Sequence, residues 1–159
     1  MRPAIACLCL AVAAISASAA SLCTPTEQAI VSFQTKSKKL MFICKGAKAA
    51  YVVYRFGLPG KIELQYPDRL DQTSWKKFAY QSFSRAGGKE NGGFYQRTLD
   101  FKRDGVSYGI YESWMPDTDK YESGIRIFDG KKEVTIKAAG SLLPEQEDAD
   151  RFADDPDTQ

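Results

Sequence analysis

The stretch FYQRTLDFKRDGVSYGIYE, residues 94–112, decides how this chain is read. Two aromatic-rich segments, about 94–101 and 106–112, flank Asp104-Gly105. Asp-Gly between apolar alternations signals a hairpin, because glycine accepts the positive φ that a tight connection demands. The signal recurs at Asp129-Gly130, between Phe128 and Val134. Leu58-Pro59-Gly60 does the same between Phe56 and Ile62, with Pro-Gly at the centre of a type II turn. Hairpins in series make a mostly antiparallel sheet.

Working outward, nine strand-like segments emerge: about 27–34, 39–44, 50–56, 61–66, 78–84, 94–101, 106–112, 122–128 and 132–138. No stretch after residue 20 holds a 3.6-residue period for three turns. Ile62, Leu64 and Tyr66 alternate with Lys61, Glu63 and Gln65. Ile125 and Ile127, and Val134 and Ile136, alternate with polar or small residues in the same way. Such strands have one buried and one wet face, so two sheets must pack together or one must close. The expected fold is all-β: an antiparallel β-sandwich or flattened barrel of about eight to nine strands, with one disulfide.

Residues 1–20 have a different character. A positive start (Met1-Arg2-Pro3), an apolar run from Ala4 to Ile15 and small residues from Ser16 to Ala20 read as a secretory signal peptide. Cleavage fits after Ala19 or after Ala20. The apolar run is shorter than the roughly 20 residues that span a membrane, so stable membrane insertion is not expected. A lipoprotein would need a cysteine directly after the small residues, whereas Cys23 follows Leu22. The expected location is periplasmic or secreted. Cys23 and Cys44 then remain in an oxidising compartment and form the expected disulfide.

Charge is unevenly distributed. Residues 145–159 carry seven acids and one base, whereas 21–144 carry 20 bases and 13 acids, a net of +7. The expected organisation is a signal at 1–20, a β domain at 21–144 and an acidic disordered tail at 145–159. The chain contains no histidine. That excludes Ser-His-Asp and Cys-His catalysis and zinc sites built from Cys and His.

Three loops are expected: Pro67–Lys77, with room for a short helical turn, Arg85–Gly93 and Ser113–Lys120. The glycine-rich second loop is not a phosphate cradle, since Gly88-Lys89 lacks the following hydroxyl and strands lie on both sides. Asp117, Asp119 and Glu122 lack the glycine and distal glutamate of a calcium loop. No catalytic, metal or cofactor-binding residue is assigned, and no cofactor is expected. Trp75 and Trp114 fall in loops beside charge, where tryptophan either folds back on the core or anchors a partner. The lysines at 36, 38, 39, 45 and 48 guard hairpin edges or face an anionic surface.

Ser123-Gly124-Ile125-Arg126 approaches a Ser-Gly-x-Tyr loop motif, with Arg126 at the tyrosine position. Together with the short signal, the early disulfide and the single β domain, it resembles the bacterial periplasmic lysozyme inhibitors. That resemblance implies a compact β domain that pushes a loop into an enzyme cleft. The segment Tyr54–Pro67 is also similar to small exported bacterial proteins. The expected function is a non-catalytic exported binding protein that inhibits or neutralises an envelope-acting enzyme or toxin. The alternative is a glycan or cell-wall binding module using loop aromatics. Trp75, Trp114, Ser123, Gly124 and Arg126 are the expected contact residues. The partner is another exported or envelope protein, or cell-wall glycan. Nucleic acid is not expected, because export removes it and no recognition motif is present.

Overall fold

The computed structural model describes residues 20–88, 91–138 and 152–154. The expected signal at 1–20, apart from Ala20, lies outside the described residues. So does the acidic stretch 145–159, apart from 152–154. The chain forms β1 (Gln28–Gln34), β2 (Leu40–Lys45), β3 (Val52–Leu58), β4 (Lys61–Tyr66), β5 (Ala79–Arg85), β6 (Phe94–Arg103), β7 (Val106–Met115), β8 (Lys120–Phe128), β9 (Glu133–Lys137) and a short β10 (Ala153–Asp154). The small sheet runs β1-β2-β3-β4, and the large sheet runs β10-β5-β6-β7-β8-β9. All neighbours are antiparallel except β10, which pairs parallel to β5. A bridge between Thr35 and Ala138 joins the sheets along one seam.

The turns follow the residues that announced them. Asp104 and Gly105 adopt φ of 51° and 79°, the two positive values of a type I′ hairpin. Gly60 takes φ 77° after Pro59. Asp129 accepts hydrogen bonds from the amides of Lys131 and Lys132, at 2.9 and 2.8 Å, and so holds the β8–β9 connection.

Between the sheets, Val31, Phe33, Met41, Ile43 and Tyr54 meet Leu99, Phe101, Ile110 and Ile125. Tyr66, Phe101 and Tyr108 stack in series with centroids 4.5 and 4.8 Å apart. Leu64, Tyr66 and Ile127 pack against this core as the alternation predicts, and Ile125 lies within it. Ile62 and Val134 are exposed, a correction to their expected burial. Each sits on an end strand, β4 or β9, beside a turn.

β2 departs from simple alternation. Its residues from Leu40 to Cys44 are all buried, because Leu40, Phe42, Cys44 and Val53 form a second cluster with Leu22 on the outer side of the small sheet. The segment before β1 covers that side and is stapled there by the Cys23–Cys44 disulfide. Glu27 and Arg55 form an ion pair beneath it, with side chains 1 % and 5 % exposed. Arg55 also donates to the Leu22 carbonyl and to Gln65 Oε1. Burial pushes the Glu27 carboxyl up, but Arg55, the Thr24 amide and the Tyr51 hydroxyl together outweigh it and hold it at about 2.

Two of the loop regions take definite form, the first as the short helical turn that its residues allow. Trp75 belongs to a 3-10 helix, Gln72–Lys77, which Asp71 caps by accepting from the Thr73 amide. Its ring is only 4 % exposed, lies 5.1 Å from that of Phe152, and its Nε1 donates to the Ala49 carbonyl at 3.1 Å. Phe152 is an apolar residue in an acidic stretch, and at 152–154 the chain docks on the domain edge instead of being disordered. The other region, 113–120, corrects the expected loop. β7 continues to Met115, so Trp114 stands on a strand, and the connection shrinks to Pro116–Asp119.

Candidate functional site

The three long central strands, β6 to β8, build two different surfaces. On the face turned toward the small sheet, unbroken register produces rows of side chains across the strands. Leu99, Ile110 and Ile125 form a buried row. The next row is Arg97, Glu112 and Ser123, and the last is Tyr95, Trp114 and Tyr121. The face therefore changes from apolar core through a charged pair to an aromatic margin.

The charged row is tightly tied. Arg97 Nη2 donates to Glu112 Oε2 at 2.8 Å, and the Tyr121 hydroxyl donates to Glu112 Oε1 at 3.0 Å. The Arg97 guanidinium lies 5.4 Å from the Tyr95 ring centroid. Trp114 is 43 % exposed and Tyr121 38 %. Two large aromatics thus face solvent over a carboxylate whose oxygens are already engaged. That arrangement suits contact better than proton transfer.

The opposite face of the same strands holds a cleft of about 650 Å³. Its floor follows from small residues: Ser107 and Gly109 alternate along β7, where longer side chains would fill the space. Gly109 lies between Asp100 on β6 and Arg126 on β8 in the register. A Cβ at Gly109 would meet Asp100 Oδ1 at 2.6 Å, so the absent side chain leaves room for that carboxylate. Thr98 Oγ1 donates to Asp100 Oδ2 at 2.8 Å. Arg126 lies 4.1 Å over the ring of Tyr111, which is only 3 % exposed. Lys76 and Lys77, at the end of the 3-10 helix, and Lys102 on β6 complete a basic rim, with Glu133 beside it.

These positions divide the expected contact residues. Trp75 is inside the core and cannot anchor a partner. Trp114 is exposed, the outcome that leaves it able to touch a partner. Ser123 is buried in the Glu112 row, and Gly124 is buried where a Cβ would lie 2.2 Å from the Ile136 carbonyl oxygen. The Ser-Gly pair is therefore in the middle of a strand, where it cannot enter an enzyme cleft as a loop. Arg126 is on the opposite face from Trp114, so the two cannot share one contact patch. The Gly109 cleft and the Arg97–Glu112 pair were missed. Their available signals were small residues at alternate strand positions and opposite charges facing each other across a hairpin.

Other donor groups are already engaged. Cys23, Glu27 and Cys44 bring ligand-type atoms within 4.8 Å of one another. Their sulfurs are joined in the disulfide and Glu27 is held by Arg55. Asp117 accepts from the Gly93 amide at 2.7 Å, and Glu122 pairs with Lys120 and Lys137. Lys39 pairs with Glu63. No protein-family model, curated protein or solved structure matches the chain.

Proposed function

We propose that this is a non-catalytic protein, exported to the periplasm or beyond, that binds and blocks an envelope-acting enzyme or toxin. The contact centres on the Tyr95–Trp114–Tyr121 row. The observation that carries this reading is an exposed tryptophan and tyrosine on adjacent rigid strands, backed by the tied Arg97–Glu112 pair. Aromatic side chains on a fixed support bury much area with little loss of conformational freedom, and they dominate protein interfaces. The blocking mode is the one that the resemblance to lysozyme inhibitors implies, but the contact proposed here is a strand margin instead of a Ser-Gly loop.

The test is capture from an exported-protein fraction with immobilised protein, followed by titration of the captured partner. Trp114→Ala should weaken binding by about 2 kcal/mol or more, roughly thirtyfold, as for a central anchor. Arg126→Gln, on the other face, should leave it unchanged. Equal binding by wild type and Trp114→Ala would remove this surface from the proposal. The second reading, a glycan-binding module, is favoured by the same exposed rings, whose faces can stack on sugars. Co-sedimentation with purified peptidoglycan, lost in Trp114→Ala, would select it over a protein partner.

A further inference from the structure

The cleft on the opposite face has a different chemistry, which does not depend on the proposed protein contact. Its volume lies within the range of small-molecule sites, about 300–1,000 Å³. Four cations line it, Lys76, Lys77, Lys102 and Arg126, against two acids, Asp100 and Glu133, which leaves a surplus of two positive charges. None of the four cations has a carboxylate within ion-pair distance among the described residues. Lys39, Arg55, Arg69, Arg97, Arg103, Lys120 and Lys137 have one, while Lys36, Lys38, Lys61, Lys131 and Lys132 also lack one; what marks the cleft is that four such cations line a single hollow. Phe128 and Tyr111 supply apolar wall, and Ser107 and Gly109 keep the floor open.

We infer that this cleft is a binding site for a small organic anion with an apolar body, its head held by Arg126 and the lysine rim. The apolar body lies over Ser107 and Gly109, between Tyr111 and Phe128. Charge complementarity selects an anion over a neutral ligand, and the volume suits a small molecule. Carboxylate and phosphate heads both satisfy this chemistry.

Isothermal titration of the full chain with laurate and with dodecyl phosphate, below micelle-forming concentration, tests the site and separates the two heads. Dodecanol is the neutral control. Saturable binding at one site per chain by either anion supports the proposal. Arg126→Gln and Lys76→Gln should each weaken it by about tenfold, the loss expected for one charge-assisted hydrogen bond. Gly109→Leu, which fills the floor, should abolish binding, with the thermal unfolding midpoint checking that the variant folds. Amide shifts on titration should centre on Thr98, Ser107 and Gly109. No saturable binding, binding of dodecanol as tight as laurate, or binding unchanged in both Arg126→Gln and Gly109→Leu would overturn it. So would a full chain that fails to bind while a variant with Glu145, Glu147, Asp148 and Asp150 neutralised does bind. That result would assign the cleft to the chain's own acidic stretch.

Discussion

The small sheet is covered on both faces around β2 and β3, whereas the long strands of the large sheet are covered only where the small sheet lies over them. Around β2 and β3 lie an apolar cluster on each side, a disulfide and a buried ion pair. The long central strands of the large sheet carry instead an aromatic margin on one face and a basic cleft on the other. The difference separates two tasks. Removing a group from the first region should cost stability, and removing one from the second should cost binding.

The largest expected break is Glu27→Ala. It leaves the Arg55 guanidinium buried without its partner and should cost about 3–5 kcal/mol in urea unfolding. The pair also sets an acid dependence. The folded carboxyl sits at about 2, below its ordinary 4.5. Its stabilisation is therefore complete above pH 4.5 and is lost as pH falls toward 2. Glu27→Gln should flatten stability in that window, and an unchanged slope would show that other carboxylates set it. Next comes Cys23→Ser with Cys44→Ser. Opening a 21-residue separation should cost about 3 kcal/mol by chain entropy. Binding at the aromatic margin should survive at a temperature where this variant remains folded. The smallest stability effect is Trp114→Ala, within about 0.5 kcal/mol for a surface position. A loss several times larger would mean that Trp114 belongs to the stabilising region after all.

The sequence made the architecture readable because strands and hairpins are local. Asp104-Gly105, Pro59-Gly60 and Asp129-Gly130 each placed a turn correctly, and every expected segment overlaps one of the strands β1 to β9. The disulfide followed from having one cysteine pair left after the expected signal. Burial was harder to read. Trp75 and Trp114 look alike in sequence, each beside charge and between strands, yet one fills the core and the other faces solvent. What separates them is non-local: Trp75 finds the Ala49 carbonyl 26 residues away and the Phe152 ring. The side on which Trp114 lies depends on β7 extending to Met115, three residues past the expected end of the strand pattern. Ser123-Gly124 looked like a loop motif because a dipeptide carries no information about which strands flank it.

Gly109 has one more consequence. A hollow made by leaving out a side chain in the middle of a sheet has a floor already fixed by hydrogen bonds to β6 and β8 on either side. A guest arriving there has little backbone to organise, so most of the contact free energy is available as affinity instead of being offset by ordering. The same vacancy makes the site adjustable. Larger residues at position 109 would shrink the hollow stepwise, changing which guest fits while the strands around it stay where they are.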